Sequence, residues 1–336
     1  MSAPRTVLLV GPVFHGYTAS TADVLRARGH HVTTHLYDER DGLAAKVRAK
    51  VVEELPEKVG LSTWARTQRR ATDAAIGVLR RVRPDVVLAV KADVLGPDFW
   101  SAASHAGALT HLWLYDELRR MRTDPEVLTA VDLLSSYSAA DTEHLIGRGL
   151  PATHVANGFD STLAWVPVPS GDVLFVGARY PNREGLLVDL ARRGLPVRAV
   201  GRDWSGHPWD RVRTWDPRRP AVPGARDVSR AQGYGLMAGA AANLNVHHDQ
   251  DGFTMRTFEI PGTGGVQLVD RPDVEALYEP GTEVLVFRDA AEAAELAARA
   301  LADRAWARRI GEAGRRRTLS EHTMDHRVAR LERLWA

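Results

Sequence analysis

The chain contains no cysteine, which excludes disulfides, thiolate nucleophiles and cysteine-ligated zinc together. Lysine is scarce, confined to positions 46, 50, 58 and 91, so the basic character rests on arginine. The formal net charge is only +2. That is weak support for an anionic substrate and no basis for nucleic-acid binding, which needs a clustered basic face. No apolar run approaches the roughly 18 residues that a membrane-spanning helix requires. The opening MSAPRTVLLV is followed by Gly11 and Pro12, not by a signal-peptide cleavage region. It therefore reads as a first strand, and the expected location is cytoplasmic. A G-x-G-x-x-G fingerprint is also missing: in GPVFHGYT, Gly11 and Gly16 bracket His15, which removes the best support for a nicotinamide or flavin enzyme.

What is present is a strand-then-helix grammar used twice. At 336 residues the chain suits two domains of ordinary size. Thr6 to Val10 reads as a buried parallel strand, with a helix from about Thr18 to Arg28 and a second strand in GHHVTTHLY after Gly29. A polar, helical segment from about Gly42 to Val82 leads to RPDVVLAV, a third strand, with Lys91, Ala92 and Asp93 just past its end. Open α/β sheets place ligand groups at such ends. HLWLY with Asp116 and Glu117 at its tip, and DLLSSYS before a helix near Ala140, continue the pattern. PATHVANGFDSTLAWVPVPSG has the composition of a connector. Beyond it come DVLFVG, a loop ARYPNREG, a helix from Leu186 to Arg193 and the strand PVRAVG. Residues 204–225 show no period and read as loop, and a helix is expected around Tyr234 to Ala241. The last segment puts Val328, Leu331 and Leu334 or Trp335 on one helical face.

The stretch NLNVHHDQDGFTMRTFEIPGTGG, residues 243–265, is the one that suits a phosphorylated ligand. It reads as a strand, a polar loop and a helix starting near Phe253, whose N-terminus favours an anion. Arg256 supplies a fork of donors, and Asp251 and Glu259 fall at the two ends of a two-turn helix.

Asp251-Gly252-Phe253 followed by Glu259 resembles the E-G-F-G...E element of group-1 glycosyltransferases, with Asp in place of the first Glu. The fuller string of NLNVHH, MRTFEIPGTGGVQLVD, EPGTEVLVFRD and EHTMDHR resembles the CgeB-like glycosyltransferase family, and VRPDVVLAVKAD, HLWLYDE and HVANGFD fit it more loosely. The resemblance implies an α/β protein of GT-B type: two Rossmann-like parallel-sheet domains facing a cleft, with a C-terminal helix crossing back to the N-domain and Trp335 as its anchor. The expected division is an acceptor-binding domain over 1–160, a nucleotide-sugar domain over 165–318 and the returning helix over 319–336. The resemblance further implies that Glu259 binds the donor ribose and Asp251 the sugar. Backbone of Gly252, Phe253, Thr254 and Met255 meets the sugar and diphosphate, and Arg179 the phosphates.

The expected activity is metal-independent sugar transfer from a nucleoside-diphosphate sugar, most simply a UDP-sugar, to a small-molecule or polymer acceptor, without a cofactor. An epimerase and a non-catalytic sugar-binding protein of the same fold are the alternatives. A nucleic-acid acceptor has only the arginine-rich residues 211–230 in its favour. Arg256 is equally suited to phosphate and to an ion pair with Asp251 or Glu259. Arg179 and Arg183 share a loop in this reading, and one of them is expected to touch ligand. His247 and His248, adjacent on a strand, point to opposite faces and lack a third ligand, so no metal is expected. The DxD formed by Asp249 and Asp251 is taken as accidental. For chemistry, Asp116 is the first choice of base and His15 the second, both at strand tips.

Overall fold

A computed structural model describes residues 3–39, 63–210 and 220–336. Part of the helical segment expected over 42–82, and residues 211–219 of the arginine-rich tract 211–230, lie outside the described residues. Two compact units emerge, residues 1–156 with 327–336, and residues 157–326.

The first unit holds six parallel strands: β1 Thr6–Gly11, β2 His31–Leu36, β3 Val86–Val90, β4 Leu109–Leu114, β5 Leu133–Ser136 and β6 Ala152–His154, in the order β2-β1-β3-β4-β5-β6. Val7, Leu8, Leu9 and Val10 of β1 and Val86 to Ala89 of β3 are wholly buried. This is the continuous apolar character of strands covered on both faces by crossover helices. Those helices include Tyr17–Ala27, Trp64–Val82, Pro97–His105 and Ala139–Gly147. The sixth strand corrects the reading of PATHVANGFD as pure connector. Three residues of it pair with β5, Leu134 opposite Ala152 and Ser136 opposite His154.

The second unit repeats the plan with β7 Val173–Val176, β8 Val197–Val200, β9 Gly224–Ala225, β10 Ala242–Asn245, β11 Gln267–Val269 and β12 Leu285–Val286, all parallel, in the order β12-β11-β10-β7-β8-β9. Its flanking helices include Pro181–Arg192, Arg230–Gly239 and Ala290–Ala302. The first begins five residues earlier than expected, because Pro181 occupies the first helical position, where a missing N–H costs nothing. The second is closed by a capping box in which Ser229 and Gln232 satisfy each other's backbone N–H.

Helix Met324–Leu334 starts in the second unit, and its residues from Arg327 onward belong to the first. Val328, Leu331 and Trp335 are buried there. The Trp335 indole N–H donates to His111 Nδ1 at 2.8 Å, which leaves the His111 proton on Nε2, 2.8 Å from Ser135 Oγ. Burial lowers the His111 pKa to about 3, so the ring stays neutral. Glu332 accepts from Arg28 Nε at 2.8 and 2.9 Å and lies 2.9 Å from His30 Nε2. Among the described residues no helix is long and apolar enough to cross a membrane.

Candidate functional site

In a doubly wound sheet the crevice lies where consecutive crossovers leave in opposite directions, outside the C-terminal ends of the strands. In the second unit that switch point falls between β7 and β10, and two arginines bridge it. Arg183, in the helix after β7, sends Nε to Val246 O just past β10 at 2.8 Å and Nη1 to Ala178 O at 3.1 Å. Its guanidinium lies 4.8 Å from the Tyr180 ring centroid and 5.4 Å from that of Phe175. Arg256, the first residue of the helix after β10, crosses the other way, with Nε 3.0 Å from Val176 O at the end of β7. Its Nη1 also pairs with Glu259, whose carboxylate is fully buried.

Several expected positions change. The helix is Arg256–Gly262, with Met255 as an N-cap that offers no side-chain bond. It starts three residues after Phe253, so Asp251 sits in the exposed loop and does not share a helix with Glu259. A helix this short also contributes little dipole, so the positive charge here belongs to the arginines. The ion-pair reading of Arg256 holds, with Glu259 as partner. Arg183 is a buried brace, not a loop residue. Arg179 does lie in the loop after β7, where Glu184 Oε2 accepts from its Nε at 3.0 Å.

The loop from Asp249 to Met255 is clasped from outside. Arg271 donates from Nη1 to Gln250 O and from Nη2 to Asp251 O, each at 3.0 Å, and stands 4.5 Å from the Phe253 ring centroid. Asp273 holds Arg271 by paired hydrogen bonds, and that guanidinium keeps the Asp273 carboxyl below its ordinary pKa. Asn157 Nδ2 donates to Phe253 O at 3.0 Å and Asn182 Nδ2 to His247 O at 2.8 Å. Gly252 and Met255 are buried, whereas Phe253 and Thr254 are half-buried. His247 and His248 do part company: His247 Nδ1 is 2.8 Å from Asp270 Oδ1, and the His248 ring stacks on Tyr180 at 4.6 Å. Sequence reasoning missed Asp270, Arg271 and Asn157, because each reaches the loop from another part of the chain.

The first unit has its own switch point, between β1 and β3. The loops there carry His15, Lys91 and Ala92 at φ of 48°, 63° and 51°. Such left-handed backbone is strained for residues with a Cβ and gathers at functional sites. Asp116, just past β4, accepts from Arg120 Nε at 3.0 Å and lies 3.5 Å from Lys91 Nζ. Behind it the fully buried Glu117 accepts a hydrogen bond from the Tyr137 hydroxyl. Burial and that carboxylate push the Tyr137 pKa up. His15 forms a 3-10 turn with the exposed Phe14, their rings 5.2 Å apart.

Residues 183–333 match the family model described as glycosyl transferase-like. No curated protein matches the sequence significantly. Among solved structures, the chain is similar to a sucrose-phosphate synthase from Thermosynechococcus elongatus, with 15% identity, 98% of each chain covered and a TM-score of 0.65. It is similar to HepE of Anabaena in complex with UDP-glucose, at 14% identity, covering 98% of this chain and 100% of that one, TM-score 0.64. It also resembles a putative UDP-N-acetylglucosamine 2-epimerase from Listeria monocytogenes, at 12% identity, covering 98% and 95%, TM-score 0.62. The chain thus has the GT-B fold of two doubly wound parallel sheets, and from the first helix of its second unit onward it carries glycosyl transferase-like sequence.

Proposed function

We propose that the protein is a glycosyltransferase whose second unit binds a nucleoside-diphosphate sugar, UDP-sugar first among them. The observation that carries this is the Arg256–Glu259 pair, inside the matched segment and braced across the β7/β10 switch point. A buried carboxylate held in place by an arginine is a preorganised acceptor for ribose hydroxyls. Arg256 and Arg179 neutralise the departing diphosphate without a metal, so the activity is expected to survive EDTA. UDP is favoured because two of the similar structures carry it in their names. Asp251 is assigned to the donor sugar, with backbone of Gly252 to Met255 beside it.

For the acceptor we assign the first unit. In an inverting reaction the acceptor oxygen bonds to the anomeric carbon, the bond to diphosphate breaks with its electrons, and Asp116 takes the acceptor proton. Asp116→Ala is then expected to lower kcat by roughly a hundredfold or more while leaving nucleotide affinity unchanged. Unchanged turnover removes Asp116 from the chemistry.

The deciding experiment is a thermal-shift and calorimetric screen of UDP-, GDP-, dTDP- and ADP-sugars, with manganese and with EDTA. Binding to none of them overturns the reading. The likeness to the 2-epimerase favours one alternative, a nucleotide-sugar epimerase. Conversion of UDP-N-acetylglucosamine to its epimer with no acceptor present would establish that activity instead.

A further inference from the structure

His247 stands just past β10, beside the crevice, and is oriented more firmly than a packing residue requires. Asp270, just past β11, accepts from the His247 backbone N–H at 2.9 and 3.1 Å and from ring Nδ1 at 2.8 Å. A carboxylate only accepts, so the proton sits on Nδ1 and Nε2 presents a lone pair. That Nε2 is buried and has no hydrogen-bond partner, in a side chain only 3% exposed. Three residues on, Gln250 Oε1 is likewise buried without a partner. Leaving a buried polar atom unpaired is costly, and such atoms mark a missing ligand, ion or water.

Two orphan acceptors select the chemistry of what satisfies them. A phosphate also only accepts, and the neighbourhood already holds Asp251, Asp270 and Asp273 around Arg271. A neutral ligand rich in hydroxyl donors fits this charge balance and a phosphate does not. Phe253 meets the His247 ring edge to face at 5.8 Å, so the His247 ring packs against the loop assigned to the donor.

We propose that His247, positioned by Asp270, accepts a hydrogen bond from a hydroxyl of the donor's sugar and so discriminates among nucleotide sugars. The inference rests on the nucleotide-sugar reading above and adds a residue to it. A site built to bond a hydroxyl rejects ligands that cannot supply it, whereas the nucleotide itself is indifferent to the contact.

The test is calorimetry with the best donor of the screen and with its sugar-free diphosphate, on the wild type, His247→Phe and Asp270→Asn. His247→Phe is expected to weaken the nucleotide sugar roughly tenfold or more and to leave the diphosphate within about twofold. Asp270→Asn can donate to Nδ1, which moves the ring proton to Nε2, so it is expected to show the same split without loss of folding. Diphosphate affinity serves as the folding control for each variant. Equal weakening of both ligands, or no weakening of either, overturns the role of His247, the second outcome meaning that Nε2 is satisfied by buried water only. Failure of the wild type to bind any nucleotide sugar overturns the donor reading itself, and this inference with it.

Discussion

Both units are built on the same doubly wound topology, yet they treat their switch points differently. In the second unit the crevice between β7 and β10 is cross-braced by side chains, with Arg183 and Arg256 reaching carbonyls on opposite sides. In the first, the crevice between β1 and β3 is shaped by the backbone itself, in left-handed conformation at His15, Lys91 and Ala92. A brace fixes loops for one ligand geometry. A strained turn positions single side chains and tolerates change around them. The contrast extends to charge. The second unit's braces are arginines, which stay charged at any working pH, whereas the first holds its C-terminal helix through a neutral His111 beside the Arg28–Glu332 pair.

The largest expected effect follows from that lock. The folded pKa of His111, about 3, lies below its ordinary 6.5. The unfolded chain then binds more protons between those values, so the stabilising effect is present above about pH 6.5 and lost as pH falls toward 3, on the order of 4–5 kcal/mol in all. His35 and His154, in the same unit, shift in the same direction through burial. The lowered carboxyls of the second unit, Asp210 and Asp273, act only below about pH 4. Denaturant unfolding at stepped pH should therefore show the first unit weakening first. Parallel loss of both units between pH 6.5 and 4.5 would break the contrast.

Arg183→Ala comes next, expected to destabilise the second unit by about 3 kcal/mol, because two charge-assisted bonds and the packing on Phe175 and Tyr180 vanish together. A chemical-denaturation midpoint unmoved by the change would mean the brace is ornamental. Glu259→Gln keeps the volume but removes the charge beside Arg256, and nucleotide affinity should fall roughly tenfold to a hundredfold by calorimetry. Unaltered affinity would move the donor site elsewhere. The smallest effect belongs to Lys91→Gly. Relief of the left-handed backbone should raise stability by about 1 kcal/mol, since the partly exposed pair with Asp116 contributes little. A lower melting temperature would remove strain from the description of the first crevice.

What the sequence made legible was local. Continuous apolar runs marked β1 and β3, and Gly29 and Gly194, at φ of 98° and 85°, ended helices where only glycine sits without strain. Helical spacing put Leu334 or Trp335 on the apolar face of the last helix, and it is Trp335 that is buried there. Three-residue β6 was hidden because its strand character comes from pairing with β5 and not from its own residues. The helix at Arg256 was placed early because nothing caps it, so no residue announces its start. Pro181 did announce a helix and was passed over. Within the site, Arg256 and Glu259 are one turn apart and could be paired on paper. Asp270 with His247, and Arg271 with the loop at Gln250 and Asp251, are joined only by the folded sheet. Such long-range partners leave no spacing to read.

The helix that begins in one unit and ends in the other sets an order of assembly. The N-terminal unit emerges first from the ribosome but lacks residues 327–336, which carry Val328, Leu331, Glu332 and Trp335 into its core. All of residues 157–326 must be made in between, on the order of ten to thirty seconds at ordinary synthesis rates. During that interval His111 and His30 wait without Trp335 and Glu332. The second unit closes its own chain first, and the unit that is begun first is the last to be finished.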